Sequence, residues 1–229
     1  MVDSEIVVVT GTDTEIGKTL VGAGLSANLR RRGVDIRSLK PVESGAEDHE
    51  PCRRDGAVLA DAAGQPEPLH AFVELGRPLA PPEAADIDGV ELDMAAWCDQ
   101  IRSHAEHADR TIVEGAGGVL SPLTWEETAR DLAGRLEAPA LVVVPDELGV
   151  LNHTLMTLEV LRNSGVSILG VVFSRADPRA DASTGRNPRT LRQFWEVDRI
   201  ATLPPVDGPE EAADELDEVA DWWLDGGAP

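Results

Sequence analysis

The chain has 229 residues and sets 42 acidic side chains against 20 basic ones, a formal charge of −22 at pH 7. Such an excess repels nucleic acid and anionic membrane surfaces and argues against polyanion partners. Only two of the basic residues, Lys18 and Lys40, are lysines, and so large an acid excess with so little lysine reads as adaptation to concentrated salt, where screening cuts charge repulsion to a reach of about 3 Å.

No basic segment precedes a long apolar run at the start, so a signal peptide is not expected. No later stretch nears the ~20 apolar residues of a membrane span, and a cytoplasmic protein is expected. The first β-branched run, residues 6–9, reads as a strand buried on both faces. It leads into Gly11-Thr12-Asp13-Thr14-Glu15-Ile16-Gly17-Lys18-Thr19, after which a helix over residues 20–32 is closed by Gly33. Backbone N–H groups of such a loop wrap phosphates, the helix N-terminus adds positive potential, the lysine reaches the terminal phosphates and the threonine hydroxyl binds Mg²⁺. Five residues separate the two glycines here, against four in the common phosphate loop.

The second strand, residues 36–39, runs into Lys40-Pro41-Val42-Glu43-Ser44-Gly45 and brings a second ammonium and a hydroxyl to the same end of the sheet. A lysine there is a compact point charge, suited to bridging a transferring phosphoryl group and its acceptor. Prolines break the periodicity between residues 45 and 92, a stretch that contains Arg54-Asp55-Gly56. The strand at residues 111–113 ends in Glu114-Gly115-Ala116-Gly117-Gly118, a buried carboxylate followed by glycines that admit close backbone approach to a ligand. Thr19, Asp55 and Glu114 together satisfy the preference of Mg²⁺ for one or two carboxylates beside phosphate oxygens and water.

Residues 140–144 form the next strand, followed by Leu148-Gly149-Val150-Leu151-Asn152-His153. Here a helix starts whose Leu151, Leu155, Leu158 and Leu161 share one face until Gly165, and its free first amides suit an anion. Strands at residues 168–173 and 200–203 lead into Ser174-Arg175 and Pro204-Pro205-Val206. His104 and His107 fall three apart on a helix without a third ligand, whereas a structural zinc site wants four. Cys52 and Cys98 read as free thiols. All five tryptophans, Trp97, Trp125, Trp195, Trp222 and Trp223, read as packing anchors; the last two lie on an acidic helix that either caps the fold or faces a partner. Strand and helix alternate throughout, so the expected architecture is a single α/β domain over residues 1–229, a doubly wound, mostly parallel sheet flanked by helices like that of P-loop NTPases.

In order and spacing, GTDTEIGKT, KPVESG, RDG, VEGAGG and the segment from Leu148 to His153 resemble the dethiobiotin synthetases, and the resemblance covers nearly the whole chain. It implies a homodimer that uses ATP and Mg²⁺ to join CO₂ to 7,8-diaminononanoate, through a carbamate and a carbamic–phosphoric anhydride, and to close the ureido ring of dethiobiotin. The implied ATP contacts are Glu15, Ile16, Gly17, Lys18, Thr19, Leu20, Asp55, Glu114, Gly115, Ala116 and Gly117. Ser174, Arg175, Pro204, Pro205, Val206 and Glu210 would lie on the base side. Lys40 and Lys18 would be catalytic, Thr19, Asp55 and Glu114 would hold Mg²⁺, and Thr14, Ser44, Gly149, Val150, Leu151 and Asn152 would contact substrate.

Two departures stand out. Ser174 occupies the place of an asparagine in adenine-preferring relatives, and one hydroxyl discriminates less than a paired donor and acceptor. The chain has no tyrosine, so the partner-subunit tyrosine of some relatives is absent; Thr190 lies near its place. A switch ATPase of the partitioning or metal-delivery type is the main alternative, but such proteins carry an extra lysine where this chain reads Thr12-Asp13-Thr14. A regulatory domain that binds nucleotide without turnover is the other, and the presence of Lys40, Ser44, Asp55 and Glu114 argues against it. A synthetase domain of the cobyric acid type would need a glutaminase for which 229 residues leave no room.

Overall fold

The computed structural model describes residues 5–66, 70–175 and 181–224. The elements run β1 (Ile6–Gly11), α1 (Lys18–Arg31), β2 (Ile36–Leu39), β3 (Val42–Ser44), α2 (Asp55–Ala62), β4 (Val73–Leu75), α3 (Pro81–Asp88), α4 (Met94–Ala105), β5 (Arg110–Glu114), α5 (Ala129–Arg135), β6 (Ala140–Pro145), α6 (Val150–Asn163), β7 (Ile168–Ser174), α7 (Asn187–Phe194), β8 (Ile200–Leu203), α8 (Pro209–Glu215) and α9 (Asp217–Leu224). Six strands form one sheet in the order β2-β5-β1-β6-β7-β8, every pair parallel. The chain moves outward from β1 to β2, then returns and crosses to β6, so the order reverses at β1. Ligands in such sheets sit at the carboxyl ends of the strands beside that reversal.

The central strands β1, β6 and β7 are apolar along most of their length because both faces are covered. Alternate residues divide between two cores. Val8, Val142, Val144, Val171 and Phe173 face α4, α5, α6 and α7. Val7, Val9, Leu141, Val143 and Val172 face α1, α8 and α9. The second layer is thin where α1 meets α8: a Cβ on Gly24 would come within 2.6 Å of the Ala212 methyl, so glycine lets the two backbones close up.

Two features differ from the sequence expectations, and a third decides between alternatives that the sequence left open. A second, two-stranded parallel sheet joins β3 to β4 inside the proline-broken stretch, begun by bonds from Phe72 N–H to Lys40 O (2.9 Å) and Val73 N–H to Pro41 O (3.1 Å). Strands of three residues carry no readable alternation. Trp222 and Trp223 are buried, so the last helix caps the core, with the Arg110 guanidinium 5.8 Å from the Trp223 ring centre. Trp125 is no packing anchor: it is 68% exposed, its indole N–H reaching Asp86 at 3.2 Å.

The last turn of α1 is tied to the C-terminal helices. Arg30 and Arg31 pair with Glu210, Arg31 with Asp214 at 2.6 Å, and Arg32 with Asp217 at 2.6 Å and Asp221 at 2.5 Å. Cys52 is exposed, Cys98 is buried, and neither forms a disulfide. Among the described residues no helix is long and apolar enough to cross a membrane.

Candidate active site

The phosphate loop joins β1 to α1 at the centre of the sheet. Gly17, the residue before α1, has φ 92°, a left-handed conformation that glycine adopts without steric cost. The glycine-rich turn after β5 lies against this loop: Val119 N–H bonds to Gly11 O at 2.9 Å, and a Cβ on Gly118 would stand 2.9 Å from Thr12 O. Gly115, Ala116 and Gly117 therefore border the loop that carries Glu15, Ile16, Lys18, Thr19 and Leu20. Thr14 is exposed on the same loop, its methyl 3.9 Å from where a Gly117 Cβ would be.

Both lysines are buried at this junction. Lys18, 6% exposed, donates to Asp13 O at 2.5 Å. Burial pushes its pKa down, and the nearby Lys40 charge acts in the same direction against the pull of Glu114 and Asp55. Lys40, 3% exposed at the end of β2, donates to Glu114 Oε1 at 2.5 Å and Asp55 Oδ2 at 2.9 Å. Burial opposes its charge too, but the two carboxylates outweigh burial and hold it above the ordinary lysine value. Asp55 feels the converse: burial resists its ionisation, and Lys40 with the Thr19 hydroxyl still brings its pKa below the usual range.

Glu114 ends β5 fully buried. Its Oε1 accepts from Lys40 and from the Thr19 hydroxyl at 3.0 Å, whereas its Oε2 is buried without a hydrogen-bond partner. Burial raises its pKa despite Lys40. A buried carboxylate oxygen without a donor is costly, and a hard cation would offset that cost. The donors here are one hydroxyl and two carboxylates, the oxygen set that suits Mg²⁺ once phosphate oxygens and water complete it. Thr19, Asp55 and Glu114 therefore fit the ion. Among the described residues no group of three His, Cys, Asp or Glu side chains is arranged to hold a metal by itself. His104 stacks on Phe72 with ring centres 6.0 Å apart, and His107 Nδ1 lies 2.8 Å from Ser103 O.

The remaining expected residues fall into three groups. Ser44 is half-buried at the end of β3, beyond Lys40 on the same segment. Gly149 precedes α6 without a side-chain cap; the Val150 N–H bonds Glu147 O at 3.4 Å, and the amides of Leu151 and Asn152 point out of the helix end. Ser174 and Arg175 lie beside Pro204, Pro205 and Val206, since Ser174 pairs with Leu203 in register and Arg175 N–H bonds Leu203 O at 3.0 Å. Ser174 itself is only 2% exposed.

Glu210 departs from expectation. Its carboxylate is taken by Arg30 and Arg31 at the end of α1 remote from the phosphate loop, roughly 20 Å along the helix at 1.5 Å per residue. The packing of α8 on α1 brings it to these arginines.

Two buried carboxylates escaped the sequence reading. Glu43, 5% exposed on β3, accepts the N–H groups of Asp55 and Gly56. Asp146, 5% exposed just after β6, accepts from Gly185 N–H at 2.7 Å and Asn187 Nδ2 at 2.8 Å, which fixes the start of α7 to the mouth of α6. Their only sequence signal is an acid at a strand or a strand end in a segment otherwise rich in small or apolar residues.

Residues 5–212 match the family described as an AAA domain. The chain is 40% identical over 198 residues to the ATP-dependent dethiobiotin synthetase BioD of Anaeromyxobacter sp. (strain K), covering 86% of this chain and 88% of that protein. It is 42% identical over 227 residues to the ATP-dependent dethiobiotin synthetase BioD of Mycolicibacterium vanbaalenii, covering 96% and 98%. Among solved structures it is similar to the cell division ATPase MinD of Pyrococcus furiosus, with a TM-score of 0.61 at 20% identity over 97% of this chain and 99% of that one. A ParA family ATPase from Chlorobium tepidum gives 0.56 at 13% identity. At such identities the solved structures speak for the fold alone.

Proposed function

The chain belongs to the AAA domain family and to the family of ATP-dependent dethiobiotin synthetases, and on that premise we propose that Lys18, Thr19, Lys40, Asp55 and Glu114 are its reacting centre. The protein is an ATP-dependent cyclo-ligase of biotin biosynthesis. The observation that carries the residue assignment is Lys40, buried between Glu114 and Asp55 and sharing Glu114 Oε1 with Thr19 of the phosphate loop.

The chemistry joins an amine of 7,8-diaminononanoate to CO₂ as a carbamate. A carbamate oxygen attacks the γ-phosphorus of ATP, ADP leaves, and the second amine then attacks the carbonyl carbon of the mixed anhydride and expels phosphate as the ring closes. The barrier lies in bringing an anionic oxygen up to an anionic phosphoryl group, so fixed positive charge is the main requirement. The amides of Glu15 to Leu20 and the α1 N-terminus cradle the phosphates. Lys18 reaches the terminal phosphates, and Lys40, kept charged by its carboxylates, faces the oxygen that joins them. Thr19, Asp55 and Glu114 would hold Mg²⁺, which would supply further charge neutralisation. The first amides of α6 take the substrate carboxylate, with Ser44 and Thr14 along the path between. Ser174, Arg175, Pro204, Pro205 and Val206 form the base side, and Glu210 is left out of it.

Exposed apolar side chains lie just before α6, midway along it and at the end of α7: Leu148 is 80% exposed, Met156 50% and Phe194 74%. Their exposure supports a homodimer whose boundary runs beside the substrate site. The reading is completed by a cytoplasmic enzyme built as one unit around the single six-stranded sheet.

The test is phosphate release from MgATP with bicarbonate, with and without 7,8-diaminononanoate, coupled to mass detection of product. Release that depends on the diamine, with product at the dethiobiotin mass, is expected. Release that ignores the diamine overturns the reading in favour of a switch ATPase.

A further inference from the structure

We propose that Glu43 is a positioning residue for the reacting centre: its carboxylate clamps the first turn of α2 so that Asp55 stays in register with Lys40. The proposal rests on the assignment of Asp55 given above. Glu43 Oε1 accepts the Asp55 N–H at 2.8 Å and its Oε2 the Gly56 N–H at 2.9 Å. Arg54, the residue before α2, provides no side-chain cap, so two of the helix's four unsatisfied amides are met by a single carboxylate from another element, which the helix dipole also favours.

The placement of this clamp is what gives it a role beyond folding. Lys40 and Glu43 are carried by one short segment, three residues apart. From that segment the Lys40 ammonium meets the Asp55 side chain at 2.9 Å, while Glu43 holds the Asp55 backbone. Side chain and main chain of Asp55 are thus fixed from the same piece of chain, which is itself paired to β4. The start of α2 cannot drift the other way. A Cβ on Gly56 would lie 2.3 Å from Ala71 N, and Arg54 is anchored to Glu74 at 2.5 Å and to Ala46 O at 2.9 Å.

Glu43→Gln preserves volume but turns an N–H group toward one of the two amides, freeing Asp55 to move. Binding of a fluorescent ADP at graded Mg²⁺ concentrations, measured on wild type, Glu43→Gln, Asp55→Asn and the double variant, reads the effect without turnover. The Mg²⁺ concentration at half-saturation is expected to rise about tenfold in Glu43→Gln, the size of one lost charge-assisted hydrogen bond. It should rise further in Asp55→Asn, and the double variant should match Asp55→Asn alone. In turnover, Glu43→Gln should lower kcat while changing KM for ATP less than twofold, to order of magnitude. Glu43→Asp keeps the charge but is too short to span both amides. It should give a smaller shift in the same direction, and it serves as the readout if the glutamine variant does not fold. If Asp55→Asn shifts the Mg²⁺ dependence and neither Glu43 variant does, the clamp is merely structural and the proposal is overturned. If Asp55→Asn shifts nothing, the assignment of Asp55 fails instead.

Discussion

The two ends of the nucleotide-binding crevice are built differently. Around β1, β2 and β5 the functional groups are mutually bonded, with Lys40 and Glu114 buried and Asp55 and Thr19 half-buried beside them: the four form one connected set at 2.5 to 3.0 Å. Around β7 and β8 the corresponding residues are backbone loops after strand ends, with Ser174 shielded to 2% exposure and Glu210 committed to Arg30 and Arg31. Charge that must act on a reacting phosphoryl group is held rigidly in a low-dielectric pocket, where it acts most strongly. On the proposed assignment, recognition of the base falls to the loops after β7 and β8. The phosphate half of the site is therefore expected to fail sharply when altered, and the base half only gradually.

The contrast breaks most severely at Lys40. Lys40→Arg keeps the charge, but a planar fork does not fit where a point charge is held by Glu114 and Asp55. A fall in kcat of about 100- to 1,000-fold is expected, the usual loss when one charge-stabilising group leaves the transition state. A kcat within a few-fold of wild type removes Lys40 from the reacting centre.

A smaller effect distinguishes the two lysines by pH. Lys18 is held below the ordinary lysine value and Lys40 above it, so rising pH neutralises Lys18 first. The alkaline limb of kcat/KM should lie below the ordinary lysine range and move to higher pH in Lys18→Arg, whatever rate that variant retains. A limb that does not move assigns the titration to another group. The same shift acts on stability with its own sign: for Lys18 the unfolded chain binds its proton more tightly, so that group's destabilising contribution fades as pH rises through its lowered pKa.

On the base side, Ser174→Asn restores a paired donor and acceptor and should raise the preference for ATP over GTP and CTP by roughly tenfold in kcat/KM. An unchanged ratio would place base selection elsewhere, with Pro204, Pro205 and Val206 as the remaining candidates. The smallest effect belongs to Glu210: its replacement by alanine should leave KM for ATP within about twofold, because exposed ion pairs contribute little and this one lies at the end of α1 remote from the phosphate loop. A KM rise above tenfold returns Glu210 to the nucleotide site.

What was legible in the sequence follows the same division. The six main strands could be placed within two residues of their ends because strands covered on both faces read as short runs rich in β-branched and apolar residues. The phosphate loop could be read because a tight turn opening a helix demands glycine at Gly17. The sheet of β3 with β4 and the clamp from Glu43 to Asp55 could not be read. Both depend on bonds between segments separated by irregular chain, and neither leaves a periodicity. Glu210 was misplaced for a related reason: its position in the chain is that of a base contact, but the close packing of Gly24 on Ala212 sets where α8 points its first turn. Trp125 shows the limit of composition, since an indole satisfied by one acidic partner stays on the surface.

The ion pairs that close Arg30, Arg31 and Arg32 against the C-terminal helices also bear on how fast nucleotide arrives. Those arginines stand at the helix end whose dipole favours cations, and without Glu210, Asp214, Asp217 and Asp221 they would draw anions to the wrong end of α1. With them neutralised, an approaching polyphosphate meets the far field of a chain of charge −22 until it is within a few ångströms of the phosphate loop. The encounter is uphill at long range and downhill only at contact. Its rate constant should climb as ionic strength rises and the far field is screened, the reverse of the slope seen when an anion is steered into a basic cleft.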